Sequence, residues 1–167
     1  MSGIQSLLAI GAVWLFALVT INFNTTVVHN ISIEVENKVY LTAFSLADDM
    51  IEEIKQKAFD ECTVNNINII APSSLTNPTS LGPETGEDRT NFNDIDDYNG
   101  DSSRVGLPYV ESFDILTTVT YADSTNFDNS SYSSKTFYKR VAVKVKSIYL
   151  TNPVELTFIF SLHSKLR

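Results

Sequence analysis

The sequence is poor in cysteine, and this excludes two classes of small domain. Cys62 is the single cysteine among 167 residues. One thiol cannot close an internal disulfide, and it has no companion ligands at the spacing of a zinc site. The sequence therefore predicts neither a disulfide framework nor a structural zinc. Cys62 is interpreted as a small buried residue near the end of a helix.

Basic residues are also scarce. The chain has 12 Lys and Arg against 20 Asp and Glu, which gives a net charge of -8. Nucleic-acid binding requires clustered Lys and Arg to contact phosphates, whereas here these residues are scattered or alternate along one strand. No nucleic-acid partner is expected.

Histidine is rare, and no catalytic constellation is visible. The two histidines, His29 and His163, have no nucleophile and orienting acid nearby in the sequence. Paired carboxylates such as Glu52 and Glu53 fit a solvated helix face better than an acid/base site. The sequence predicts no catalytic residue and no enzymatic activity.

The N-terminal region lacks charge and proline. Ile4 to Ile21 is 18 residues without an ionisable side chain, and the first charged residue is Glu34. Such a run belongs in lipid or inside a helical assembly. A signal peptide would have Lys or Arg before the apolar run, and this chain has none there. The segment is therefore expected to be retained. The same lack of flanking basic residues is unusual for a permanent membrane anchor.

The apolar run changes into an amphipathic helix pattern. Residues 1–24 are predicted to form a transmembrane or assembly helix, and residues 25–62 its amphipathic continuation, ending near Cys62. Asn22 to Ser32 is rich in weak helix formers, so the helix is expected to be fragile there. The apolar stripe of the continuation comprises Val35, Val39, Ala43, Leu46, Ala47, Met50, Ile51, Ile54 and Ala58.

The remaining residues predict a small antiparallel sheet. Residues 63–111 are interpreted as a strand-like stretch, Val64 to Ala71, followed by a long acidic loop region. Residues 112–167 contain three runs with strict alternation, around Val119, Val143 and Phe158. The predicted fold class is α+β: a long N-terminal helix whose apolar half projects and whose amphipathic half packs on the sheet.

The most concentrated acidic motif lies between Asn91 and Asp101. Asp97, Asn99 and Asp101 match the first half of a calcium loop. Ser102 stands where a calcium loop has Gly, and Pro108 stands at the final ligand position. Two interpretations remain open: a calcium site, or an acidic turn held by hydrogen bonds from side chains to the backbone. No other cofactor is predicted.

This layout resembles the type IV pilin superfamily, in which a long helix, apolar and then amphipathic, precedes an antiparallel sheet. The motif Asp94-Ile95-Asp96-Asp97-Tyr98-Asn99-Gly100, followed by a strand at residues 141–145, is similar to that of mannose-sensitive haemagglutinin type minor pilins. The resemblance implies a helical filament of identical subunits at the cell surface, with each subunit inserted in the cytoplasmic membrane before assembly.

The resemblance also implies that the apolar helix is the assembly surface. Family members carry Glu at the fifth mature position, where this chain, counted from Met1, has Gln5. Two alternatives remain: a minor pilin or pseudopilin, and a single-pass membrane protein with an extracytoplasmic binding or sensing domain. The implied assembly residues are Gln5, Leu7, Leu8, Ile10, Val13, Trp14, Phe16, Leu18, Val19 and Ile21.

Overall fold

The chain folds into an α+β structure in the computed structural model, which describes residues 3–65, 69, 71–107, 110–127 and 133–162. In these described residues, two helices precede four strands. The elements are α1 (Gly3–Lys55), α2 (Glu61–Val64), β1 (Ser102–Leu107), β2 (Val110–Tyr121), β3 (Tyr138–Lys146) and β4 (Val154–Ser161). Short 3-10 turns at Pro72–Ser74, Pro78–Ser80 and Asp96–Tyr98 interrupt the long connection between α2 and β1.

The structure divides into two compact units, Met1–Val39 and Tyr40–Arg167. The first unit is helical throughout its described residues, and α1 continues without a break through the segment 22–32 that the sequence predicts to be weak. Val35 is 49% exposed, whereas Val39 is buried. The predicted stripe therefore becomes a buried face only towards the end of this unit.

In the second unit, the last part of α1 packs against the sheet, as predicted. Ala43, Ala47 and Ile54 are completely buried because they recur on one helix face. At the end of the helix, the Lys55 ammonium lies 4.4 Å from the centre of the Phe158 ring on β4. This packing provides the apolar partner that one face of the sheet requires.

The helix ends earlier than the sequence predicts. The pattern extends to Cys62, but α1 stops at Lys55 and a separate α2 follows. Between them, Ala58 takes up a strand-like bridge: its N–H donates to Asn93 O (3.0 Å) and its carbonyl accepts from Ile95 N–H (3.0 Å). Because both backbone groups of Ala58 bond to the segment 93–95, they are not available for the hydrogen bonds of an α-helix.

The sheet is antiparallel with the order β1-β2-β3-β4. Alternate side chains of β2 and β3 face the core, as the period of two predicts. Leu156 and Phe158 on the edge strand β4 are only partly covered, and Phe158 is 38% exposed. Among the described residues, the buried side chains of the two central strands are Phe113, Ile115, Thr117, Val119, Tyr121, Lys139, Val141, Ala142, Val143 and Val145, and Ala142 alone lies outside the alternation.

Strand β1 was not predicted, because the sequence pattern assigns its residues to the long loop region. Its sequence, SSRVGL, has little apolar alternation. Pairing with β2 forms it, and the Arg104 guanidinium lies 2.6 Å from Asp114 across the pair. The strand predicted at Val64 to Ala71 is wrong at its start, because Val64 ends α2. Residues 66–68 and 70 lie outside the described residues.

Candidate functional site: the apolar helix surface and the acidic turn

The first candidate is the surface of α1 before Glu34. Helix α1 is long and apolar enough to cross a membrane, by length and composition. The nine apolar residues implied as an assembly surface are all 51–75% exposed in this chain. At about 100° per residue, they are distributed around the whole circumference of the helix. A helix that is apolar on every side is stable only when lipid or other helices surround it.

Polar side chains at the end of this apolar run are bonded to their own helix. Thr20 Oγ1 donates to Phe16 O (2.8 Å), and Asn22 Nδ2 donates to Leu18 O (2.9 Å). Thr25 and Thr26 repeat the pattern one turn further on. A polar donor that is satisfied within the helix costs less in an apolar environment than a free one. The segment is therefore suited to an apolar environment beyond Ile21.

The second candidate is the acidic turn, whose carboxylates fold inwards. Asp94 Oδ1 accepts the N–H groups of Asp96 (2.6 Å) and Asp97 (3.2 Å). Asp97 Oδ2 accepts those of Asn93 (2.8 Å) and Asp94 (3.0 Å). These are the side-chain to backbone bonds of an acidic turn. Asp94, Asp96 and Asp97 are fully buried.

Gly100 closes the turn. Its φ is +82°, a conformation that glycine adopts without a side-chain clash, and its N–H donates to Thr117 O (3.0 Å) on β2. The side chain of Asn99 also joins the turn to neighbouring segments, since Nδ2 donates to Leu81 O (2.9 Å) and Oδ1 accepts from Val119 N–H (2.9 Å). The motif is thereby fixed against the sheet.

Two of the three residues predicted to bind calcium, Asn99 and Asp101, have other partners in the structure. Asn99 is used as described above, and the Asp101 carboxylate pairs with Arg89. Arg89 also binds Glu53 on α1 (3.1 Å), and the Tyr98 hydroxyl donates to the same carboxylate (2.7 Å). Asp101 thus belongs to an ion-pair network that ties the turn to α1. Calcium at Asp97, Asn99 and Asp101 stays a prediction.

A buried lysine holds the inner side of the turn. Lys139 on β3 is fully buried, and its ammonium donates to Phe59 O (2.7 Å), Asp60 Oδ2 (2.8 Å) and Asp96 Oδ1. Its three protons thus have three acceptors. The ammonium also lies 4.7 Å from the centre of the Phe59 ring. We call Lys139, Asp60 and Asp96 the Lys139 cluster; it joins the α1–α2 connection, the acidic turn and the sheet.

Asp60 is the anionic centre of this cluster. It caps α2, and its Oδ1 accepts from Thr76 Oγ1 (3.0 Å) while its Oδ2 accepts from the Tyr121 hydroxyl (3.3 Å). Burial by itself would raise the pKa of Asp60, but the charge and hydrogen bond of Lys139 and the N–H groups around the carboxylate lower this pKa to about 2. Asp60 is therefore ionised in the folded unit at neutral pH.

The pKa values of Asp94 and Asp96 shift upwards, in the opposite direction to that of Asp60. Burial, with the Asp96 carboxylate beside it, raises the pKa of Asp94 to about 8. Burial also raises the pKa of Asp96 to about 6, although the neighbouring Lys139 opposes the shift. One cation cannot offset the charges of all four buried carboxylates, Asp60, Asp94, Asp96 and Asp97, which favours the protonated form of Asp94.

The Lys139 cluster is not among the sequence-based predictions, although the position of Lys139 in its strand indicates a buried side chain. Lys139 has the same strand phase as Val141, Val143 and Val145, which face the core. A lysine at such a position needs a buried partner. Its acceptors, Phe59 and Asp60, lie about eighty residues away, at sequence separations of 80 and 79. No local pattern connects positions so far apart.

Asp60 makes a distinct contribution to the pH dependence of stability, opposite in sign to those of Asp94 and Asp96. Its folded-state pKa lies below the ordinary value of 3.8, so its stabilising effect is complete above about pH 4 and is lost as the pH falls towards about 2. We expect Asp60→Asn to lower the free energy of unfolding by about 2 kcal/mol or more at pH 6, and the gap to wild type to narrow below about pH 4. Urea unfolding across this range measures the gap.

Asp48→Asn is the matched control, since Asp48 is exposed on α1. It removes the same charge outside the Lys139 cluster and is expected to change the free energy of unfolding by less than about 0.5 kcal/mol. A gap for Asp60→Asn that stays constant from pH 6 to pH 2 would contradict the assigned ion pair.

Comparisons with protein-family models, with curated proteins and with solved structures find no match to this chain. The class that the structure itself defines is an α+β protein with a long N-terminal helix, long and apolar enough to cross a membrane.

Proposed function

We propose that this chain is the structural subunit of an extracellular filament like a type IV pilus, which polymerises through the apolar part of α1. The observation that carries the proposal is the belt of nine exposed apolar side chains around the whole helix, with no charged residue before Glu34. A belt on all sides suits a helix surrounded by several identical helices, whereas a docking helix needs one apolar face.

The energetics support an apolar environment for this belt. Removing a large apolar side chain from water contributes roughly 1.5 to 3 kcal/mol, so nine such residues cannot remain in water. In the cytoplasmic membrane, lipid covers them before assembly. In the filament, neighbouring helices replace the lipid, and the gain then comes from close packing rather than from leaving water.

Small residues in the same segment favour close packing between helices. A Cβ placed on Gly11 would meet no atom within 4 Å, so this position is open to a neighbouring helix. Ala9, Ala12 and Ala17 extend the small surface. Homo-oligomerisation through these positions needs no ligand or cofactor.

The acidic turn has a structural role in this proposal. The Lys139 cluster and the Arg89 network fix the turn to α1 and to the sheet. In a filament the second unit would supply the surface between subunits. A rigid unit keeps the geometry of that surface constant from copy to copy.

Electron microscopy of sheared cell-surface material, labelled with antibody against this chain, tests the proposal. We expect label along the whole length of filaments, because every subunit is the same chain. Label at filament tips alone would instead indicate a minor pilin. Recovery of the chain in detergent extracts, with no labelled filaments, would contradict the proposal and favour a single-pass membrane protein with an extracytoplasmic binding or sensing domain.

A further inference from the structure

Three carboxylates converge beside the acidic turn, at a place that the assembly function does not use. One oxygen each from Glu84, Glu87 and Asp97 lies within 4.8 Å of the other two. Glu84 and Glu87 belong to one tight turn, closed by Glu87 N–H donating to Glu84 O (3.0 Å). Gly86, with φ +97°, allows the chain to turn there.

Ion pairs in the described part of the chain join Lys and Arg side chains to acids outside this carboxylate group. Three like charges at this distance repel one another unless a cation or protons offset them.

A buried carboxylate oxygen without a described hydrogen-bond partner lies in this group. Asp97 is fully buried, and its Oδ2 is occupied by two backbone N–H groups. Its Oδ1 has no hydrogen-bond partner in the described part of the chain. The amide oxygen of Asn93, whose Nδ2 donates to Glu87 Oε1 (3.2 Å), is likewise buried and without a described partner. Buried acceptors are normally satisfied, so these two oxygens need an explanation.

We propose that Glu84, Glu87 and Asp97 bind a calcium ion, with the Asn93 amide oxygen as a further ligand. Calcium binds oxygen ligands at about 2.3 to 2.6 Å, so two oxygens on opposite sides of one ion are about 4.6 to 5.2 Å apart. The separation of up to 4.8 Å fits within this span. Magnesium usually keeps several waters and is bound through one or two carboxylates, whereas this group offers three.

The site differs from the one that the sequence predicts. It shares Asp97, adds Asn93 from the same turn, and takes Glu84 and Glu87 from the preceding loop, which the structure brings against the turn. Bound calcium would offset the repulsion among the carboxylates and pin this loop to the turn.

Calcium titration of the full-length chain in detergent tests the site. After chelator treatment, and at about 0.15 M salt to screen weak surface binding, calorimetry should show one saturable calcium per chain. The midpoint of thermal unfolding should rise when calcium is present, because a ligand that binds the folded state stabilises it. Glu84→Gln should weaken calcium binding at least about tenfold, and the exposed position of Glu84 keeps this variant folded.

Asp88→Asn is the matched control. Asp88 is an exposed acid in the same loop but is not part of the carboxylate group. Its removal should change the calcium affinity by less than about twofold. The proposal is overturned by wild type showing no saturable heat, or by Asp88→Asn weakening binding as much as Glu84→Gln. Equal affinity for magnesium would overturn the assignment to calcium.

Discussion

Lys139→Met should lower the free energy of unfolding by roughly 3 to 5 kcal/mol at pH 7. Methionine keeps much of the length of the side chain but removes the ammonium. Asp60 and Asp96, both fully buried, would then lose the cation that they share. An uncompensated buried carboxylate costs more than the ion pair contributes, so the loss exceeds that of ordinary surface changes.

Thermal unfolding of the full-length chain in detergent measures this effect, and Lys144→Met is the control. Lys144 lies on the same strand, its side chain is 38% exposed, and its ammonium lies 3.3 Å from Glu155. Such a pair contributes at most about 1 kcal/mol. Equal losses for the two variants would mean that the Lys139 cluster is not the ionic centre of the unit.

Val13→Asp should abolish filament assembly. Val13 is 68% exposed near the middle of the apolar segment. A carboxylate at the centre of a membrane helix costs about 2.5 to 3.5 kcal/mol, and the filament would repeat this cost in every subunit. A loss of roughly 3 kcal/mol per subunit corresponds to a factor of about one hundred in an equilibrium constant. We therefore expect at least about a hundredfold fewer filaments in sheared material.

The control for assembly is Val13→Ile, which keeps an apolar, β-branched side chain. It should leave the filament yield within about twofold of wild type. The thermal midpoint of the unit Tyr40–Arg167 should be unchanged by Val13→Asp, because Val13 lies outside that unit. Wild-type numbers of filaments from the aspartate variant would contradict assembly through this segment.

The helix and the central strands could be predicted because their signals are local. The run from Ile4 to Ile21 is uncharged throughout, and Ala43, Ala47 and Ile54 recur at helical spacing. Both signals are visible in a short window of sequence. The alternation around Val143 is an equally local signal for β3. Each pattern shows which side chains of the segment must avoid water, and a short stretch of sequence is enough to see it.

The end of α1 and strand β1 could not be predicted, since distant backbone groups decide both. Ala58 leaves the helix to pair with residues about 35 positions later in the chain. The segment Ser102–Leu107 becomes a strand because β2 offers a free edge. Pairing partners of this kind override local propensity.

The sequence by itself determined that a long apolar helix precedes a small antiparallel sheet, because periodicity and the absence of charge are properties of the chain. Only the tertiary structure decided the chemistry of the acidic motif. In the folded unit, Asp96 pairs with Lys139 and Asp101 pairs with Arg89. Asp97 lies close to Glu84 and Glu87. A carboxylate is defined by the charges and donors that surround it, and these come from segments far apart in the chain.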